Sequence, residues 1–156
     1  MESGSGSWTT GGDMNEWGLG DPDWGNVHSG SYCWGTDINA SSPGDNDEYE
    51  NDANEWLRTP NVDLTSTPNA RLIFWHKFRT ENNYDIAYVE VSVNGGSWTT
   101  LESYSTDIGG TNSWIQKVIS LNSQAGNNIR VRFRLDSDDG ITDKGWYIDD
   151  INITCT

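Results

Sequence analysis

The chain has 156 residues, 24 acidic and nine basic, for a formal net charge of −15. That balance argues against nucleic acid and anionic membranes as partners, because affinity for phosphate rests on Lys and Arg; it suits a soluble module that meets calcium. Seventeen Gly and nine Trp, with abundant Asn, Asp, Ser and Thr and few Ala and Leu, disfavour long helices.

The length fits one domain, 1–156. No stretch approaches the ~18 consecutive apolar residues of a membrane-spanning helix, so no membrane insertion is expected. Met1 runs straight into Glu2-Ser3-Gly4-Ser5-Gly6, without the apolar segment of a signal peptide. The chain therefore reads as a domain excised from a larger exported protein, secreted or on the cell surface.

Residues 1–31 predict a first strand near Ser7–Thr10, then a long loop in which Trp17-Gly18-Leu19-Gly20-Asp21-Pro22 is turn chemistry. Tyr32–Ile38 reads as a short strand and 41–55 as an acidic, solvated surface loop. From Trp56 onward the alternation is clear. Arg71–Phe78 puts Leu72, Phe74, His76 and Phe78 on one face, and Asp85–Val93 turns Ala87, Val89, Val91 and Val93 inward. Asn94-Gly95-Gly96 predicts a hairpin turn into Trp98–Tyr104. Trp114–Leu121 is a further strand. Ile129–Leu135 buries Ile129, Val131, Phe133 and Leu135 and points Arg130, Arg132 and Arg134 outward, either to pair with acids such as Glu90 and Glu102 or to meet an acidic ligand or a neighbouring domain. Trp146–Thr154 closes the chain. About eight to ten short strands with no helix between them predict an all-β jelly-roll sandwich of two antiparallel sheets.

The order of these blocks resembles the MAM-like jelly-roll domains, including gingipain-type adhesin domains and the modules beside immune-inhibitor-A-like metallopeptidases. The resemblance rests on Glu2-Ser3-Gly4 with Trp8, on Glu16-Trp17-Gly18 with Pro22, and on Cys33-Trp34-Gly35-Thr36. It continues through Trp56–Leu64, through Leu72–His76 with Glu81, Asp85 and Val89–Gly96, and through Gly145–Ile151. It implies a non-catalytic adhesion or targeting module of a multidomain protein, with an extracellular protein, a glycan or neighbouring domains as partners. It also implies a structural calcium between the first and last strands, with Glu2, Asp149 and Asp150 as ligands. Adjacent Asp residues in a strand point to opposite faces, so one of the last two binds and the other meets water.

Asp136-Ser137-Asp138-Asp139-Gly140 reads first as a polar turn between strands and otherwise as a second calcium candidate, with Asp136 and Asp138 as ligands. It starts like an EF-hand loop but has Tyr147 where the closing Glu belongs. Catalytic motifs are missing: only His28 and His76 are present, with no HExxH or GxSxG, so no enzyme is expected. Among the Trp residues, Trp56, Trp75, Trp114 and Trp146 read as core. Trp98 reads as packing across its hairpin. Trp17 and Trp24 sit in turns beside Asp21 and Asp23, and read either as plugs that pin a loop or as a sugar-binding platform. The alternatives to adhesion are thus a carbohydrate-binding module and a plain spacer domain. Cys33 and Cys155 read either as two unpaired small residues or as one disulfide tying an early strand to the last residues.

Overall fold

Period-two alternation closes here into two sheets packed face to face. The computed structural model describes residues 6–38 and 48–156. Among these the strands are β1 (Thr9–Gly12), β2 (Trp17–Gly20), β3 (Cys33–Thr36), β4 (Asn54–Arg58), β5 (Val62–Asp63), β6 (Ala70–Arg79), β7 (Ile86–Val93), β8 (Trp98–Tyr104), β9 (Ile115–Ser120), β10 (Asn128–Asp136) and β11 (Gly145–Cys155). The front sheet runs β1-β4-β10-β7-β8, with β5 also on β10; the back sheet runs β2-β3-β11-β6-β9. The pairings that build both sheets are antiparallel, as the jelly-roll reading requires.

The apolar faces meet as expected. Leu72, Phe74 and Phe78 of β6, Ala87, Val89 and Val91 of β7, and Ile129, Val131, Phe133 and Leu135 of β10 are all buried in one core. Trp146 sits among them, with Phe74 against Phe133 at 5.2 Å and Phe133 against Trp146 at 5.6 Å, both edge to face. His76 shares this core as the acceptor of the Trp146 indole N–H, at 3.2 Å. Burial, with Lys117 a smaller influence, pushes its pKa down to about 4, so the ring is neutral.

Three expectations fail. Trp17–Gly20 is not turn but β2, an edge strand paired with β3. Four residues, two of them Gly, carry too weak an alternation to register. The acidic loop also ends in structure: Tyr49, Ala53 and Glu55 are buried. The rest of the loop, 39–47, lies outside the described residues. Trp56, Trp75 and Trp114 are half-buried on the outer faces; of the four expected core tryptophans, only Trp146 belongs there.

Glu55 points inward from β4 with 0% exposure. One carboxylate oxygen accepts the Glu16 backbone N–H at 2.5 Å, and the other has no partner among the described residues. Burial, with the Glu16 and Asp37 charges adding, pushes its pKa up to about 7. From pH 4.5, its ordinary value, to about 7 the unfolded chain loses this proton while the folded chain keeps it. Stability therefore falls as pH rises through that window. Glu55→Gln removes this dependence. Its stability gain over the parent chain should grow from pH 4.5 to 7 by about 3 kcal/mol, read by denaturant unfolding at each pH; a pH-independent gap would contradict it.

Candidate calcium site and loop anchors

At one end of the sandwich three loops converge on Asp85. It precedes β7, is 1% exposed, and accepts the Tyr49 hydroxyl from the β3–β4 loop. Its other oxygen accepts the Asp138 backbone N–H, at 2.8 Å, from the β10–β11 loop. Glu81 and Asp138 complete a group whose carboxylate oxygens lie within 4.8 Å of one another. Glu81 Oε2 accepts the Ile141 N–H at 2.9 Å, and Asp138 Oδ1 accepts the Gly140 N–H at 2.8 Å. The Asp52 N–H reaches the Asp138 carbonyl, also at 2.8 Å. Burial, chiefly, and the neighbouring Asp138 and Glu81 charges raise the Asp85 pKa, although the Tyr49 and Asp138 hydrogen bonds pull it down.

The donor set is all oxygen: three carboxylates. That is the chemistry of calcium rather than of softer metals, so the residues fit the ion that the family resemblance implies. Glu81 and Asp138 each keep a second carboxylate oxygen that takes no hydrogen bond among the described residues. A cation here would relieve the repulsion within the group.

The sequence candidates divide. Asp138 belongs to this site. Asp136 does not: it points outward from β10 and pairs with Arg134 at 2.9 Å. Glu2 lies outside the described residues. Asp149 and Asp150 do not point to opposite faces. The β6–β11 register shifts between Asp149 and Asn152, and Asp150 takes a left-handed φ of 48°, so both carboxylates reach one loop. Asp149 Oδ2 accepts the His28 and Ser29 backbone N–H groups at 3.0 and 3.1 Å. Asp150 accepts the Ser29 hydroxyl and lies against His28 Nδ1, both at 2.7 Å. His28 in turn stacks on Trp75, with ring centroids 3.9 Å apart.

The same β2–β3 loop is pinned again by Lys77, which points to the outer face of the back sheet yet is fully buried. Its ammonium donates to the carbonyls of Trp24, Asn26 and Thr111, and lies 5.0, 4.8 and 5.3 Å from the ring centroids of Trp24, Trp114 and Tyr147. Burial lowers its pKa to about 8. Gly25 passes so close to the Thr111 carbonyl that a Cβ would sit 1.7 Å from it. Trp24 is thus a wall of an ammonium cage, 6% exposed, and not an open sugar platform. Asp21 and Asp23 are exposed beside it. Trp17 is 4% exposed and meets Trp146 edge to face at 5.9 Å. Glu81, Asp85, Tyr49 and Lys77 had no assigned role from sequence, although Glu81 and Asp85 fall within the family-like block before β7.

The disulfide expectation is overturned: both cysteines are free, Cys33 buried and Cys155 exposed. Trp34, next to Cys33, pairs with Ile148, whereas Cys155 pairs with Ala70 seven residues farther along β11. At ~3.3 Å per residue that is roughly 20 Å, against about 4.4–6.8 Å between the Cα atoms of a disulfide. Burial and the Asp149 charge push the Cys33 thiol up to about 12. A thiol reagent should therefore label the native chain once, at Cys155, and twice after unfolding without reductant. An unfolded chain with no reactive thiol would restore the disulfide.

Comparison with known proteins gives the family. Residues 44–156 match the family described as immune inhibitor A-like, MAM domain. Bacillopeptidase F of Bacillus subtilis (strain 168) is 34% identical over 156 aligned residues, which cover 97% of this chain and 10% of that protein. Immune inhibitor A of Bacillus thuringiensis subsp. alesti is 27% identical over 104 residues, 63% of this chain and 15% of that protein. The chain therefore spans only a small part of either relative. Among solved structures, the K1 cleaved adhesin domain of Lys-gingipain from Porphyromonas gingivalis W83 superposes with a TM-score of 0.67 at 20% identity, over 97% of this chain and 92% of that one. TmCBM61, solved in complex with β-1,4-galactotriose, superposes with a TM-score of 0.63 at 19% identity, over 98% and 91%. These two likenesses concern the fold. With the matched family covering most of its length, this chain belongs to the immune inhibitor A-like MAM domains.

Proposed function

We propose that this domain is a non-catalytic adhesion or targeting module of a secreted or cell-surface multidomain protein, stabilised by calcium at Glu81, Asp85 and Asp138. The observation that carries the reading is that oxygen-only cluster, which joins three loops at one end of a sandwich. The relatives support the setting, since the chain corresponds to a small part of two much longer proteins, one of them named a peptidase. Among the described residues no helix is long and apolar enough to cross a membrane. The only two histidines are both committed to packing, His76 beneath Trp146 and His28 against Trp75 and Asp150. The partners are extracellular protein or glycan and the neighbouring domains of the parent chain.

Extracellular modules hold calcium with dissociation constants of about 10⁻⁴–10⁻³ M. Calcium at ten times that constant adds about 1.4 kcal/mol, roughly 3–6 °C in the melting midpoint. That shift should appear on replacing chelator by calcium and disappear in Glu81→Gln and Asp138→Asn. Asp136→Asn should keep it. Equal midpoints with and without calcium would remove the calcium part of the proposal. The targeting part is read by fusing the domain to a fluorescent reporter and washing it over purified cell walls and matrix-protein coats. Retention is expected; a reporter that washes off every surface would contradict it.

A further inference from the structure

Among the described residues, the two edge strands β1 and β2 each have a partner on one side only, β4 and β3. Between their open edges lies a cleft of about 410 Å³ lined by Trp8, Thr10, Trp17, Gly18, Leu19 and Trp34. Its volume lies in the range of small-ligand sites, roughly 300–1,000 Å³. Trp8, half-buried, leans on Trp34 with ring centroids 6.1 Å apart and 36° between the planes. Trp17 and Trp34 form the deep part, 4% and 3% exposed.

Two features select a ligand class. First, the Trp17 and Trp34 indole N–H groups are buried and have no hydrogen-bond partner among the described residues. Leaving a buried donor unmade costs about 1–3 kcal/mol, so an oxygen acceptor that reaches these groups gains correspondingly. Second, among the described residues no charged side chain lines the cleft, in a chain of net charge −15. A cationic ligand would find no carboxylate in it, and an anionic one would find no guanidinium or ammonium and would meet an acidic protein. The complementary ligand is uncharged, has a flat apolar face for the indoles, and carries oxygens at its rim.

We infer that the cleft between β1 and β2 is a binding subsite for a neutral sugar ring. The ring's C–H face packs on Trp8 and Trp34, its oxygens take the Trp17 and Trp34 indole N–H groups, and the Thr10 hydroxyl borders the mouth. Trp8 is the outermost wall, the least buried of the three indoles. This inference rests on the reading of the domain as a binding module and gives that module a ligand class and a place.

The test is tryptophan fluorescence and calorimetric titration of the domain with neutral gluco-, manno-, xylo- and galacto-oligosaccharides, with polygalacturonate as the acidic comparison. At least one neutral oligosaccharide should give a saturable shift, and polygalacturonate none. Trp8→Ala should weaken that binding at least tenfold and Thr10→Val severalfold; Trp98→Ala, on the outer face of the front sheet, should leave it unchanged. If Trp8→Ala does not fold by circular dichroism, Thr10→Val decides. The inference is overturned if no neutral oligosaccharide binds, if the binding survives both cleft variants, or if only an extended peptide produces the shift. Should the reporter fusion still be retained on cell walls or matrix in those cases, the cleft alone falls. Should it also wash off, the binding-module reading falls with it.

Discussion

Asp85 is the residue on which one whole end of the molecule depends. A buried carboxylate is costly unless its charge is met by hydrogen bonds or a cation. Here it is met by a hydroxyl from one loop and a backbone N–H from another. The sheets hold themselves by backbone ladders, whereas the long connections between them make only scattered backbone hydrogen bonds, such as Tyr49 N–H to the Asp143 carbonyl and Asp52 N–H to the Asp138 carbonyl. The fold solves this with buried ionisable side chains that serve as knots. Asp85 gathers the β3–β4, β6–β7 and β10–β11 connections. Lys77 ties the β2–β3 loop to the β8–β9 loop through three carbonyls, and Asp149 holds the β2–β3 loop a second time through two N–H groups. Each knot has several partners, which is why a small domain can keep such groups out of water.

The outer face of the front sheet works differently. Glu90 is flanked by Arg132 and Arg134, with Arg134 Nη2 at 3.2 Å from Glu90 Oε1. The guanidinium groups lie 4.4 Å from the Trp98 ring centroid and 4.3 Å from that of Tyr88. Burial pushes the Glu90 pKa up, but the two arginines outweigh it and leave the carboxyl below the usual range. Arg132 and Arg134 of the stripe are thus paired with Glu90, while Arg130 is exposed. Glu102 has a different partner, Lys117 of the back sheet, at 2.6 Å.

Much of this was legible in the chain. Long strands with strict alternation, β6, β7 and β10, announce both their ends and their buried faces, because period two is a direct consequence of strand geometry. The hairpin at Asn94-Gly95 is equally plain: both residues take left-handed φ values, 50° and 76°. Short Gly-rich edge strands are not legible, since β2 has too few side chains to alternate. The site was half legible. Asp138 stands in a turn full of acids, but Asp85 and Glu81 become neighbours of it only once β7 and β10 pair. Local alternation also misplaced the Asp149–Asp150 pair, because a bulge turns both carboxylates to one side. Trp24 was ambiguous for a related reason: the ammonium that cages it comes from Lys77, far away in sequence and counter to its strand's expected solvent face.

The central claim is that Glu81, Asp85 and Asp138 form one cation site. Terbium(III), an oxygen-seeking stand-in for calcium, tests it directly, because the Tyr49 hydroxyl bonded to Asp85 places an aromatic donor beside the ion. Excitation of the protein should give sensitised terbium emission that saturates at one ion, is displaced by calcium, and is lost in Asp138→Asn. Emission unchanged by that substitution, or none at all, would contradict the site.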